Sequence, residues 1–353
     1  MRRLDEDPKI KLKILLCDFH FKEIHNTSRE LIQDGFQFET IKGETFGELA
    51  DNFLSRFEKR KDINIVLVVG DRRVALASAY AAYLSKTYFA HIHGGDKTTS
   101  GHIDEPVRHA VTRFAHIHFP ASIKSAERLR KMGEEKFRIH QVGSPVIDAF
   151  KDALKKNKIS KKELYKKFNL DPKKPFFILL QHPTLLQQER AGKEMAKTLS
   201  ALAKLKVQTI AIHPNGDPGT EAMLRELDKH DDANWLQIHK SIHHEDFCQL
   251  LRYAAALVGN SSAGIIECSY VKCPAVNIGE RNRERERGAN VVFAENNTAD
   301  IIRAITRARS PQFKRKMRKS RSPYGHGKSA EKIVNRLKSI SLDVKLLCKQ
   351  MTL

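Results

Sequence analysis

The sequence predicts an α/β protein built of two Rossmann-like domains facing a cleft, and three observations carry that prediction. Short, continuous Val/Ile/Leu runs recur along the chain and end at Gly, His or Asp, the pattern of strands buried on both faces. Stretches with helical spacing, such as RRVALASAYAAYLSK at 72–86, separate them. The alternation occurs in two series, split by a lysine-rich segment at 151–174. Each series predicts an open parallel sheet with helices on both sides, with ligands at the carboxyl ends of its strands.

The first series is KILLC, NIVLVVG, YFAHIH, AHIHF and FRIHQVG, and the second is FFILLQH, QTIAIHP, AALVGN and PAVNIG. The boundaries that follow are an N-terminal domain over 1–150, a basic linker over 151–174, a C-terminal nucleotide-binding domain over 175–323 and a crossover helix over 324–341. At 353 residues and 41% hydrophobic content, the chain can support two cores of ordinary size.

Sixty-three Lys+Arg against 42 Asp+Glu give a net charge of +21. The excess concentrates at 151–174 and 303–321, which read as solvated faces of helices with only Tyr165, Phe168 and Phe313 among them as aromatic residues, so nucleic acid is not the expected partner. Five cysteines (Cys17, Cys248, Cys268, Cys273, Cys348) without a CxxC pair fit a reduced, cytoplasmic setting. The amino terminus, MRRLDEDPKIKLKILL, lacks the apolar core of a signal peptide, and no run reaches membrane-spanning length.

In the second half, AALVGNSSAGIIECSYV reads as strand, small-residue loop and helix. Backbone N–H groups at such a junction favour a phosphate. Ser261 and Ser262 add hydroxyl donors, Gly264 allows close approach, and Glu267 can accept from ribose hydroxyls. An ordinary strand–helix turn with a serine cap reads equally well. Arg281 and Arg285 in GERNRERERGANV can add charge to a diphosphate site. His182 and His213 each end a strand and so point at the cleft, with Asn215 following.

In the first half, Asp71 closes the strand NIVLVV in Gly70-Asp71-Arg72, where it can be reactive or simply cap the next helix. The stretch HIHGGDKTTSGHIDEPVRHA at 91–110 is dense in titratable groups. His93 ends a strand, Asp104 opens a helix, and Arg108 and His109 lie in its first turns. His91 and His93 have metal-ligand spacing, but the double series and central linker argue against the barrel topology that would complete such a site. His116 and His118, inside AHIHF, read as satisfied core histidines.

Taken together, GDR at 70–72, HIHGGD…GHIDEPVRHAVTRFAHIHF at 91–119, QHPT at 181–184, HPNGDPG at 213–219, VGNSSAGIIE at 258–267, NIGERNRERERGANV at 277–291 and SPYGHGK at 322–328 resemble the hydrolysing UDP-N-acetylglucosamine 2-epimerases. The resemblance spans roughly residues 12–340 and implies the two-domain glycosyltransferase-B fold. It also implies release of N-acetylmannosamine and UDP through a glycal, as in sialic-acid biosynthesis. By residue, it implies that Asp71 and Asp104 are catalytic carboxylates, that His182 is the cleft histidine and that Glu267 holds the ribose. His93 joins the catalytic set, and Arg72, Arg108, His109, His213, Asn215, Ser261, Ser262, Gly264, Arg281, Arg285 and Tyr324 the substrate-binding set. No metal or cofactor is called for, and a homodimer or homotetramer without a membrane partner is implied.

Three departures stand out. His93 occupies the place of a catalytic glutamate that some members carry in HIEGG, with Asp96 close by. The family's first strand and Gly-Thr-Arg loop have no counterpart, since KILLCDFHFKEIHNTSRELIQDGF resembles its second strand; Arg72 is the candidate substitute. His326 replaces an aspartate common in PYGDG. The alternatives to a hydrolysing epimerase are a reversible, non-hydrolysing one, a glycosyltransferase of the same fold, and a non-catalytic protein that binds nucleotide-sugars or polyanions.

Overall fold

A computed structural model of the chain describes residues 1–17, 27–59, 62–98 and 104–352. Part of the histidine-rich stretch, 99–103, and part of the segment compared with the family's second strand, 18–26, lie outside these residues. The chain divides into two compact units. One is formed by Met1–Asp96, Ile103–Ser144 and Lys328–Leu353, the other by Lys97–His102 and Pro145–Gly327.

In the first unit, β1 (Leu15–Cys17) pairs in parallel with β2 (Glu39–Ile41), while β3 (Ile65–Val69), β4 (Tyr88–Ile92) and β5 (Ile117–Phe119) form a separate parallel sheet in that order. The expected single sheet is therefore split: among the described residues no strand joins β1 to β3. Val69, at the end of β3, is largely exposed as a result. FRIHQVG contributes only one bridge, Ile139 to His118, because 136–138 coil into a short 3₁₀ turn. One apolar layer joins Phe89 of β4 to Phe53, Phe57, Ala77, Ala81 and Val111, drawn from helices Phe46–Lys59, Arg73–Leu84 and Asp104–Phe114. On the other side Ile92, Ile117 and Phe119 pack against Ile333 of helix Ser329–Ser339 and against Leu346. The helix expected as a crossover thus belongs to this unit.

The second unit has one continuous parallel sheet. Its strands are β6 (Phe176–Leu180), β7 (Gln208–Ile212), β8 (Leu236–His239), β9 (Ala256–Gly259), β10 (Ala275–Ile278) and β11 (Val291–Ala294), in the order β11-β10-β9-β6-β7-β8. Helices Ala191–Leu205, Thr220–Asp228 and Thr298–Arg309 cover one face, around Phe177, Leu199, Leu202 and Ile305. Helices Pro145–Lys156, Lys161–Lys167 and His244–Tyr253 cover the other, around Phe150, Leu164, Phe176 and Leu251. Each such fully buried side chain contributes about 1.5–3 kcal/mol.

The basic segment 151–174 is therefore not a free linker. Its lysines are the wet faces of two helices whose apolar faces, with Leu164, Tyr165 and Phe168, are part of the core. Ser160 starts the second with a reciprocal cap on Glu163.

Candidate functional site

In the first unit, polar side chains gather at the carboxyl ends of β3 and β4. Arg108 is buried on helix Asp104–Phe114 and pairs with both Asp71 and Glu105. Its Nη1 also donates to the Asp96 carbonyl at 3.0 Å. The helix after β3 begins at Arg73 with Arg72 at the cap position and no side-chain cap, so Asp71 is not a capping residue; its carboxylate is spent on Arg108. Arg72 is exposed. His109, 40% exposed, lies 3.4 Å from Glu105.

His93 leaves β4 in a left-handed conformation with φ 69°, which turns its ring out of the strand's alternation. Its Nδ1 is 2.8 Å from Asp96 Oδ2, and its Nε2 is 3.1 Å from Ser144 Oγ. The carboxylate fixes the proton on Nδ1, so Ser144 donates to Nε2. Asp96 Oδ1 in turn accepts from Ser125 Oγ at 2.7 Å. The sequence-derived set left out Asp96, Glu105 and Ser144. Only the spacing His93–Gly–Gly–Asp96 hinted at the first.

His91 and His93 do not converge. His91 Nε2 donates to the Gly70 carbonyl at 2.8 Å, which ties the end of β3 to β4 just before Asp71. Burial pushes His91 down to about 3 and His116 down to about 4, so both rings are neutral near pH 7. His116 Nδ1 accepts from Phe89 N at 3.1 Å and His118 Nε2 bonds Glu134 at 2.9 Å, so both are core residues, although His118 Nδ1 is buried without a hydrogen-bond partner among the described residues.

In the second unit the decisive place lies between β6 and β9, where strand order reverses. The loops leaving these two strands are stitched together by Asn260. Its Oδ1 accepts from His182 N at 2.7 Å, and its Nδ2 donates to His182 O at 2.8 Å. Its own carbonyl accepts from Asn282 Nδ2 at 2.7 Å, bringing in the arginine-rich loop. Gly259 makes the approach possible, since a Cβ there would lie 2.0 Å from the Leu180 carbonyl.

His182 is partly buried and pushed down to about 3, first by burial and then by the Arg281 guanidinium. Its Nδ1 accepts from Asn215 N at 3.1 Å, so its proton sits on Nε2. The expected cleft histidine is thus a neutral donor held in one orientation.

Other expectations are also revised. The loop after β9 opens not a long helix but a 3₁₀ turn, Ser262–Gly264, capped by Ser261 Oγ on Ala263 N, before the five-residue helix Glu267–Val271. The helix dipole available to an anion is correspondingly small. Gly264 is buried, and a Cβ on it would meet Ala275 Cβ at 3.2 Å and Leu257 Cδ2 at 3.3 Å, so its smallness serves packing on the sheet. Tyr324 is 1% exposed and its hydroxyl donates to the Glu286 carbonyl at 2.6 Å; it supports the arginine loop from beneath and is not placed to touch a ligand. Arg285 lies in a turn closed by its N–H on Asn282 O. His213 sits at the end of β7 with its N–H on His239 O. Ser262 is exposed and Glu267 half-buried.

Residues 2–338 match the UDP-N-acetylglucosamine 2-epimerase family. The chain belongs to that family. Among its relatives is a Legionella pneumophila UDP-N,N'-diacetylbacillosamine 2-epimerase (hydrolyzing), 30% identical over 99% of this chain and 93% of the relative. A Neisseria meningitidis UDP-N-acetylglucosamine 2-epimerase is 31% identical over 86% of this chain and 81% of its own length. The family fold extends over nearly the whole chain. A crystal structure of the Neisseria meningitidis enzyme bound to UDP-GlcNAc superposes with a TM-score of 0.81 at 20% identity, covering 96% of this chain and 95% of that one. That of Methanocaldococcus jannaschii in complex with UDP-GlcNAc and UDP gives 0.77, covering 96% and 94%. Among the described residues no helix is long and apolar enough to cross a membrane.

Proposed function

We propose that the protein is a hydrolysing 2-epimerase that converts UDP-N-acetylglucosamine and water to N-acetylmannosamine and UDP. The observation that carries this reading is the gathering of Asp71, Glu105, Arg108, His93 and Asp96 at the strand ends of the first unit. Removing and returning a proton at C2 needs at least two titratable groups held in different settings. Asp71, oriented by Arg108, and Asp104 take these roles, with the Asp96–His93 pair beside them. As the C2 proton leaves, the bond from C1 to the diphosphate breaks and UDP departs, leaving a glycal. Water then adds its oxygen to C1, and a proton returns to C2 on the opposite face.

The second unit handles the leaving group. His182 Nε2–H, Ser261, Ser262 and Arg281 stabilise the departing phosphate, Arg285, Asn215 and His213 assist, and Glu267 holds the ribose. Neutral donors suit this task because they keep their protons whatever the sugar does. The hydrolysing outcome is supported by the Legionella relative, whose match takes in 99% of this chain. By the same reading the enzyme is cytoplasmic and homo-oligomeric.

The test is incubation with UDP-N-acetylglucosamine and, separately, with UDP-N,N'-diacetylbacillosamine, in water enriched in deuterium. Free N-acetylmannosamine or its diacetyl counterpart, deuterated at C2, together with UDP, is the expected outcome. Accumulation of the UDP-linked epimer without free sugar would replace hydrolysis by reversible epimerisation. Absence of deuterium at C2 in folded, UDP-binding protein would end the proposal.

A further inference from the structure

The tail of the first unit reaches back onto its catalytic helix through a buried charge cluster that the chemistry above does not use. Lys349 Nζ donates to the carbonyls of Thr112 and Arg113, both at 2.9 Å, and pairs with Glu134 at 2.6 Å. Those carbonyls belong to the last turn of helix Asp104–Phe114, whose closing C=O groups have no partner within the helix. Glu134, wholly buried, also takes Arg113 at 2.7 Å and His118 of β5 at 2.9 Å. The tail itself is held by Arg138, whose guanidinium donates to the carbonyls of Lys345, Leu346 and Cys348 at 3.0, 2.5 and 3.1 Å. Thr352 N closes the contact on the Gly133 carbonyl at 2.9 Å. Gly133 is moulded to it: a Cβ there would meet Met351 Cγ and Thr352 O, each at 2.8 Å.

A lysine with only 15% of its side chain exposed, on carbonyls more than two hundred residues away in sequence, is costly to hold there unless its charge is well paired. The helix it caps carries Asp104, Glu105 and Arg108 at its other end, and Thr112 on the same helix lies 3.4 Å from His91 Nδ1. We infer that Lys349 is a positioning residue for the catalytic helix, with segment 343–352 clamping its carboxyl end and so fixing the setting of Asp104, Glu105 and Arg108. This rests on the function proposed above only for its effect on rate. The effect on the helix stands alone.

The clamp also carries a titration. Burial, the larger influence, pulls Lys349 down to about 8, while Glu134 holds it up. The groups facing it are Glu134 and Glu135 in the turn, Arg113 on the helix, His116 and His118 at β5, and Arg138. Above that pH the ammonium is lost, and with it the ion pair to Glu134, whose other partners include Arg113 and His118.

Full-length Lys349→Met and Lys349→Arg test the inference through amide hydrogen exchange over residues 104–114, with helix Phe46–Lys59 as internal reference, and through kcat and KM across pH. In Lys349→Met, exchange over 104–114 should rise about tenfold and kcat fall about tenfold with KM within about twofold. The native enzyme should lose kcat above about pH 8, and Lys349→Arg should restore the exchange and abolish that decline. Should Lys349→Met not fold, Gly133→Ala displaces the tail from the far side and should raise exchange over both 345–352 and 104–114. Native exchange over 104–114 in either folded variant would overturn the inference, and so would an alkaline decline that survives in Lys349→Arg. If the native protein turns over no sugar, the exchange data still decide the clamp while the proposed function falls.

Discussion

The two units place polar groups at their strand ends in opposite ways. The first unit gathers charges: Asp71, Glu105 and Arg108 in one set, Asp96 with His93 in another. The second gathers neutral groups, in which Asn260, Asn282, Asn215 and an uncharged His182 bond one another around the gap between β6 and β9. The sheets differ in the same sense, since the charged set sits on a split sheet and the neutral set on a continuous one. Proton transfer needs groups that titrate, whereas holding a diphosphate needs donors that do not. On the function proposed above, the division between the units is a division of chemistry.

Acid should separate the units most sharply. His91 and His116 are buried in the first unit with their pKa values lowered to about 3 and 4, and half-exposed His140 is lowered as well. Among the described residues of the second unit His182 is lowered to about 3, and His213 and His239 are lowered as well. In each case the unfolded chain binds a proton below about pH 6.5 that the folded chain refuses, so stability falls with pH in that window. The loss is about 1.4 kcal/mol per pH unit for each fully buried ring, and less for His140, His213 and His239, which solvent partly screens. Between about pH 6 and 4 the first unit should therefore open before the second. Hydrogen exchange over helix Arg73–Leu84 reports the first, and fluorescence of Trp235, the single tryptophan and part of the second unit, reports the other. Simultaneous transitions would show that the two stand or fall together.

Next in size is Asp71→Asn. It keeps the shape but removes the carboxylate, and kcat should fall about 10³-fold, within the range for losing a general acid or base. UDP affinity, measured calorimetrically, should change less than about twofold. A matching loss of UDP affinity would erase the distinction between the units.

The continuous sheet has its own point of failure in Gly259→Ala. The new Cβ would lie on the Leu180 carbonyl of a fully buried neighbouring strand, at a residue whose φ is 136°. Denaturant unfolding followed by Trp235 should show a loss of about 3 kcal/mol or more. A mild effect would mean that the β6–β9 junction yields easily, and that its neutral network is not preorganised.

These positions also show what was legible in the sequence. Continuous apolar runs announced β1, β3, β4, β5, β6, β7, β9 and β10, whereas β2 and β8, as in Leu-Gln-Ile-His, interleave polar residues and left no such run; β11, Val-Val-Phe-Ala, is apolar throughout but stands outside both series read from the sequence. The basic tract 151–174 read as a connector because lysines outnumber the few apolar residues that anchor its helices. Asp71, Arg108 and His93 were found because each closes a strand or opens a helix. Asp96, Glu105 and Ser144 were missed because their meaning depends on which side chain they meet. Tyr324 and Gly264 were assigned to ligand from their motifs, but motif membership does not distinguish a residue that touches substrate from one that packs beneath it.

The smallest expected effect tests the neutral half of the comparison. His182→Gln shortens the donor that points away from Asn215 and should weaken UDP binding about tenfold, the worth of one good hydrogen bond to a charged group. The pH dependence of kcat/KM should be unaltered from about pH 5 to about 9. The sign follows from the ring's environment: burial first, and Arg281 second, keep His182 unprotonated until about pH 3. Nothing at this position titrates in the working range, so the variant removes a contact and not an ionisation. A displaced acid limb in the pH profile would instead make His182 a proton carrier, and the second unit would then share in the chemistry assigned to the first.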